Sequence, residues 1–336
     1  MPAIPGSRTL CADHLVVVRD PGASAPSRPA AAGGVCDNTI HLDRLRLAFD
    51  DEFDTLRLWD PRTKQGIWKT SFISGPQSGA YAWDSRTLHG NRELEIYVDP
   101  AFPGLGAGPL GLKPFAVQDG VVSIIANKTP EPLKWELWGY AYTSGLLMTE
   151  PSFSQRYGYF EIRAKLPAGK GMWPAFWLLS TDGSWPPELD ILEQLGGEDI
   201  YQTVHTQQDG APEETGFKIR LPGATTGFHT YGALWTPDRV VWFLDGKETA
   251  TAPTPADMRK PMYILLNLAV GGNMPGDPDD HTVLPSRFSI DYVRVYSLDP
   301  APKTQSTLPS PTVVAPKHAA AAKTHHHDKV KVAQAG

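Results

Sequence analysis

Cysteine is nearly absent from this chain of 336 residues. Cys11 and Cys36 are the only two, and both precede the part that reads as a folded domain. A bridge between them would staple only a tail, so no disulfide scaffold is expected. Two thiols are also too few for a structural zinc site. Long apolar runs are missing as well. No stretch of about 18 apolar residues occurs, which excludes a transmembrane helix. The longest apolar run near the N-terminus, Leu15–Val18, is too short for the core of a signal peptide. Positive charge is not in excess: the net charge is −6, which argues against nucleic acid or an anionic membrane as a partner. There is no internal repeat and no amphipathic helix. The one G-x-G-x-x-G match, GAGPLG (106–111), is crowded by Pro100, Pro103, Pro109 and Pro114. It therefore lacks the strand before and helix after that a dinucleotide site needs, and reads as a loop.

What is present reads as strands. At 41% hydrophobic and 20% charged the balance is globular, and an all-β sandwich of ~250 residues can form as one domain. LHGNRELEIYVD (88–99) alternates, with Leu94, Ile96 and Val98 on one face and Glu93, Glu95 and Tyr97 on the other, the pattern of a half-buried strand. DGVVSIIANK (119–128) reads as a turn and a strand. From Tyr157 onward, Phe160, Ile162, Ala164 and Leu166 point one way and Glu161, Arg163 and Lys165 the other, a strand with one wet face. Asp245-Gly246 signals a hairpin turn. Met262–Leu268 is a buried apolar strand, and the Gly-, Pro- and Asp-rich 269–280 is a loop. Ten Trp and eleven Tyr serve large β cores and sugar-binding platforms alike.

The densest chemistry lies in WPPELDILE (185–193). Alternation puts Glu188 and Asp190 on one face of a strand and Leu189 and Ile191 on the other. Continued without interruption it would send Glu193 into the core, where a lone carboxylate is costly. One extra residue, a β-bulge at Ile191–Leu192, would return Glu193 to the side of Glu188 and Asp190. Crowded carboxylates repel, so at least one keeps its proton while a neighbour ionises, as glycoside hydrolysis requires. A solvated edge strand and a calcium-binding cluster are the alternatives that spacing alone leaves open.

Glu188-Leu189-Asp190-Ile191-Leu192-Glu193 resembles the active-site signature of glycoside hydrolase family 16 in its bulged ExDxxE form. RYGYFEIRAKLPAGKGMWPAFWLL (156–179), FHTYGALWTPDRVVWFLDGKE (228–248), NLAVGGNMPG (267–276) and FSIDYVRVY (288–296) resemble the family's other strands and loops. The resemblance covers roughly residues 40–298, bounding a catalytic domain between tails at 1–39 and 299–336. Both tails are poor in core-forming residues and read as disordered, and His325–His327 lies in the second.

The resemblance implies a jelly-roll β-sandwich, concanavalin A-like, with two curved antiparallel sheets and an open cleft. It implies a retaining endo-acting β-glycosidase of β-1,3 or β-1,3/1,4 linkages. Glu188 would be the nucleophile, Glu193 the acid/base and Asp190 the residue between them. Asn91, Trp173, Trp177, Trp185 and His205 match substrate-side positions, with His205 beside the acid/base. Met274 stands where many relatives carry Trp. Asp291, with Gly120 and Glu52, matches a structural calcium site; catalysis itself needs no cofactor. The expected partner is a β-linked polysaccharide, the expected state a monomer, and the expected location extracellular or periplasmic. A transglycosylase on the same site and an inactive carbohydrate-binding sandwich are the alternative outcomes.

Overall fold

The computed structural model describes residues 38–298; the expectations for Cys11, Cys36, His325–His327 and the tails beyond those bounds lie outside the described residues. No described helix is long and apolar enough to cross a membrane. The regular elements are strands joined by turns and short 3-10 segments. They are β1 (Arg46–Asp51), β2 (Glu95–Tyr97), β3 (Phe115–Gln118), β4 (Val121–Lys128), β5 (Tyr142–Ser144), β6 (Leu146–Met148), β7 (Gly158–Lys165) and β8 (Met172–Ser180). They continue with β9 (Glu188–Gln194), β10 (Asp199–Thr206), β11 (Glu213–Arg220), β12 (His229–Trp235), β13 (Arg239–Leu244), β14 (Lys247–Pro253), β15 (Met262–Val270) and β16 (Ser286–Ser297).

Two sheets form a sandwich. One runs β14-β13-β12-β7-β16-β4-β5-β2, with β1 added beside β16 and β3 beside β4; the other runs β11-β10-β9-β8-β15-β6. Every pairing is antiparallel except β2 with β5. Phe160, Ile162 and Ala164 of β7, Trp242 of β13 and Phe288 of β16 meet Leu189, Ile191 and Leu192 of β9 and alternate residues of β8 and β15 in one continuous core. Burial of this apolar area is the main favourable term. The Asp245-Gly246 turn has φ of 49° and 72°. Both positive values are what a two-residue type I′ hairpin turn between β13 and β14 demands.

Over β8, β15 and β6 the six-stranded sheet is apolar on both faces. Its second face carries Ala175, Trp177, Tyr263, Leu265, Leu146 and Met148, packed under Phe72 and Tyr97. A sheet covered on both sides reads as a continuous apolar run, which is why all of Met262–Val270 is buried.

Two sequence expectations change here. The half-buried strand at 88–99 shrinks to β2, buried on both faces, with Glu93 and Glu95 inside rather than wet. The outer face of β7 is not wet along its whole length either. Glu161 is buried there, accepting hydrogen bonds from the Tyr159 and Tyr292 hydroxyls at 2.7 and 2.9 Å. Asp51, at the end of β1, is buried as well and accepts the Trp68 indole N–H at 2.9 Å and the Phe53 backbone N–H at 3.1 Å.

A hydrogen bond through the core ties the two sheets together at the acid strand. The indole of Trp242, fully buried on β13, donates to the backbone carbonyl of Asp190 on β9 at 2.9 Å. A buried carbonyl left without a donor costs about 1–3 kcal/mol. Trp242→Phe keeps most of the ring's packing and removes this donor. It is expected to lower stability by about 2 kcal/mol and to depress kcat, checked by urea unfolding and steady-state rates. Unchanged stability would show that this carbonyl is satisfied in another way.

Candidate active site

The bulge expected in β9 is present. Asp190 stands opposite Thr203 and Glu193 opposite Tyr201, so Ile191 and Leu192 face only one residue of β10. On the other side Trp177 pairs with Asp190 and Phe176 with Leu192, leaving Ile191 extra. The extra residue sends both Ile191 and Leu192 into the core with Leu189. It also carries Glu193 back to the face of Glu188 and Asp190.

Each outer carboxylate is held by an indole. Trp185 Nε1 donates to Glu188 Oε2 at 2.7 Å, and Trp173 Nε1 donates to Glu193 Oε1 at 2.8 Å. Trp185 is 60% exposed while Trp173 is 7% exposed, so the first indole stands free at the rim and the second lies in the cleft wall. His205, opposite Glu188 in the register, places Nε2 3.1 Å from Asp190 Oδ2 and 4.0 Å from Glu188 Oε1. The short contact to Asp190 lacks hydrogen-bonding angles, since Asp190 Oδ2 has no bonded partner. His205 therefore lies against the central aspartate and Glu188, not beside Glu193 as the resemblance implied. Its Nδ1 is 3.8 Å from Glu214 Oε2.

All three acids are pushed above the ordinary carboxylate range. Burial is the largest cause for each; Asp190 next raises Glu188, and Glu193 next raises Asp190. The indole bonds and His205 pull Glu188 and Glu193 back down. The cluster cannot hold three negative charges, so protons are shared within it. Glu188, Asp190 and His205 also offer ligand atoms within 4.8 Å of one another, a set able to compete for a divalent cation.

A buried polar chain underlies the acids, and sequence reasoning missed it. Trp177 Nε1 donates to Asn267 Oδ1 at 2.7 Å, and Asn267 Nδ2 donates to the Tyr97 hydroxyl at 2.9 Å. That hydroxyl donates to Glu93 Oε2 at 3.3 Å, and Asn91 Nδ2 donates to Glu93 Oε1 at 3.0 Å. Beside it, Glu95 accepts the Val270 backbone N–H at 2.7 Å. Burial raises the pKa of both Glu93 and Glu95, and repulsion by Glu93 raises Glu95 further. The signal in the sequence was the polar pair in ELE (93–95), which a half-buried strand would have put in water.

Of the expected substrate-side residues, Trp173, Trp185 and His205 touch the acids directly. Trp177 lies in the floor, the register partner of Asp190, and is a packed residue 6% exposed. Asn91 is bound to Glu93 rather than to an acid of β9. Gly272, at φ 111°, comes against the Asn91 carbonyl and the Trp173 ring, where a Cβ would lie 2.8 and 3.3 Å away; only glycine fits. Met274 is 48% exposed.

The calcium expectation does not fit the donors. Asp291 is ion-paired with Arg163, and Glu52 receives two hydrogen bonds from Arg294 at 2.8 and 2.9 Å. Gly120 does sit against the Glu52 backbone carbonyl, but both carboxylates that would balance a hard dication already carry an arginine.

Two predictions follow from these electrostatics. Trp173→Phe removes a hydrogen bond that lowers the pKa of Glu193, so Glu193 holds its proton to higher pH. The alkaline limb of the kcat/KM profile is expected to move upward; a limb that stays put would separate Trp173 from that titration. A carboxylate with a raised folded-state pKa binds more protons in the native than in the unfolded state, so stability falls as pH rises from its unfolded toward its folded value. Asp190→Asn removes that loss. It is expected to raise Tm at pH 7 relative to the wild type, with the difference fading below pH ~4, as read by calorimetry across that range.

Residues 115–294, more than half of the chain, match glycosyl hydrolases family 16. An endo-1,3-1,4-beta-glycanase (ExsH) of Rhizobium meliloti (strain 1021) is 43% identical over 264 residues, 77% of this chain and 54% of its own length. The chain thus spans about half the length of that relative. A beta-glucanase of Rhodothermus marinus is 35% identical over 284 residues, 77% of this chain and 88% of that protein. Among solved structures, the laminarinase catalytic domain of Thermotoga maritima MSB8 superposes with a TM-score of 0.59 at 32% identity, covering 75% of this chain and 98% of the other. Sandwich, bulged acid strand and relatives agree, and the chain belongs to glycosyl hydrolases family 16.

Proposed function

We propose that this protein is a retaining endo-β-glycosidase that cleaves β-1,3 or β-1,3/1,4 linkages of a polysaccharide. One observation carries the reading. The bulge in β9 sets Glu188 and Glu193 on one face, on either side of Asp190, each bound by its own indole N–H. The names of the relatives support the substrate class: endo-1,3-1,4-beta-glycanase and beta-glucanase.

In this reading the scissile bond lies across β9. Glu188, ionised, attacks the anomeric carbon and forms a glycosyl-enzyme ester. The proton of Glu193 passes to the departing glycosidic oxygen. Glu193, now anionic, takes a proton from water as that water attacks the ester, and Glu188 leaves as carboxylate. Asp190 sits between the two with His205 against it. Its negative field opposes ionisation of Glu193, and when protonated it donates to Glu188. The Trp185 indole steadies the charge on Glu188 each time it reappears. Transfer to a second sugar instead of water uses the same groups. A polymeric substrate of this kind sets the working location outside the cell or in the periplasm.

Reducing-end release is the assay, on β-1,3-glucan and mixed-linkage β-glucan. Glu188→Gln is expected to lower turnover at least 10³-fold, an order-of-magnitude figure for loss of the attacking group, with Tm retained. Glu193→Gln should fail on the polymer and much less on an aryl glycoside with a good leaving group, which needs no proton. Full activity in Glu188→Gln, or equal loss in Glu193→Gln on both substrates, would overturn the roles. Products longer than the substrate would identify transfer.

A further inference from the structure

A cavity of about 450 Å³ lies beside the acids, lined by Trp83, His89, Glu93, Leu94, Trp138 and Tyr140. None of Glu188, Asp190 and Glu193 lines it. Its walls come from two loops that bear no part of the reaction described above. The Trp138 indole donates to the Ala80 carbonyl at 2.9 Å and ties the 135–141 loop to the 80–91 loop. Trp83 meets the His89 ring edge-on, with centroids 4.6 Å apart. Beneath them Trp83, Trp138 and Tyr140 pack on Ala82, Ile96, Val98, Phe102 and Leu137, so the rings are braced and not free to collapse. The same two loops hold Tyr81 and Trp135 out in water, 68% and 81% exposed.

The cavity adjoins the residues of the catalytic cleft. Glu93 forms part of its wall and is bound by Asn91. Asn91 and Trp173 both close on Gly272, and Trp173 holds Glu193. Leu94, on the same wall, fits against Gly271. A short relay of touching residues therefore connects the acid/base to the aromatic cavity.

Resting on the glycosidase reading, we propose that this cavity is a further sugar-binding subsite, formed by Trp83, His89, Glu93, Trp138 and Tyr140, for a distal unit of the polysaccharide chain whose bond is cut at Glu188 and Glu193. The aromatic faces receive the apolar C–H faces of a pyranose ring, a surface an aromatic wall binds without ionic contacts. Glu93, 92% buried by its 8% exposure, accepts hydrogen bonds from Leu88 N–H, Asn91 and Tyr97. Glu95 is a further hydrogen-bonding partner of Glu93, so Glu93 forms a fixed polar part of the wall and the aromatic rings carry the contact with the sugar. The volume lies within the range of ligand pockets.

The test uses the full chain with two probes, a β-1,3-gluco-oligosaccharide hexamer and an aryl β-disaccharide too short to reach the cavity. In Trp83→Ala the ratio of kcat/KM on the hexamer to that on the aryl disaccharide is expected to fall roughly tenfold, about 1.4 kcal/mol. His89→Ala, at an exposed position, should move the ratio the same way and guards against a folding defect. An unchanged ratio in both variants would overturn the subsite, and so would equal loss on both probes. Affinity electrophoresis in gels containing β-1,3-glucan separates this from the parent reading. If the wild type turns over neither probe but is retarded, and Trp83→Ala is not, the subsite stands and the glycosidase reading falls. If the two migrate alike, the subsite falls too.

Discussion

The structure depends on a single inserted residue in β9 and on what it takes to keep that insertion in place. A bulge interrupts the ladder, bends the strand and removes regular partners for its backbone. Here it lies in the middle of a six-stranded sheet, between the packed core on one face and the cleft on the other. The Trp242 indole reaches across the core to the carbonyl of Asp190, the residue at which the extra one begins. Leu189, Ile191 and Leu192 fill the core on the other side of the same backbone. If the bulge relaxed to a regular strand, Glu193 would turn into that core and one of these aliphatics would turn out. Burying a carboxylate without a partner is costly enough that the register is fixed by the side chains themselves.

That arrangement concentrates acid where burial raises every pKa. The cleft holds three carboxylates on β9, and Glu93 and Glu95 lie close by on the floor. The described contacts bring no lysine or arginine to any of these five acids. What tempers them are neutral donors: two indoles, a backbone N–H at Val270 and the amide of Asn91, with His205 alone able to carry positive charge. Donors of this kind stabilise an anion without removing its basicity altogether, as a strong ion pair would. The surface acids Asp291 and Glu52 are treated in the opposite way, each clamped by an arginine. The contrast separates carboxylates held by neutral donors from those held by a permanent cation, and the two carboxylates matched to a calcium site fall in the second group.

How much of this could be read from the sequence follows from what each pattern measures. The bulge was legible because one face of β9 had to be apolar and three acids could not share the other without it. The hairpin at Asp245-Gly246 was legible because only those residues accept two positive φ values in succession. The fate of Glu93 and Glu95 was not. Alternation reports which residues share a face, and it does not report that both faces are covered. Here Phe72, Tyr97 and the loops before β2 cover the second face of the sheet, and no local pattern announces them. His205 failed for a related reason: a strand position fixes the face of an imidazole, while its rotamer decides which of two neighbouring carboxylates it meets. Trp242 carries no local signal of its role, since its partner lies 52 residues away on the other sheet.

The same distinction separates what is general in this cleft from what is particular to it. The acid strand and its indoles are carried by paired strands, where register leaves little freedom. The aromatic cavity is carried by the 80–91 and 135–141 loops, joined by one indole-to-carbonyl bond from Trp138 to Ala80. Loops can change length and sequence without disturbing the sheets, so chain recognition can be altered there while the chemistry on β9 is left alone. Yet the two are not independent. Glu93 belongs to the wall of the cavity, and through Tyr97, Asn267 and Trp177 its hydrogen bonds run to the residue packed directly beside Asp190. The aromatic wall and the floor under the acids are thereby parts of one buried hydrogen-bonded network.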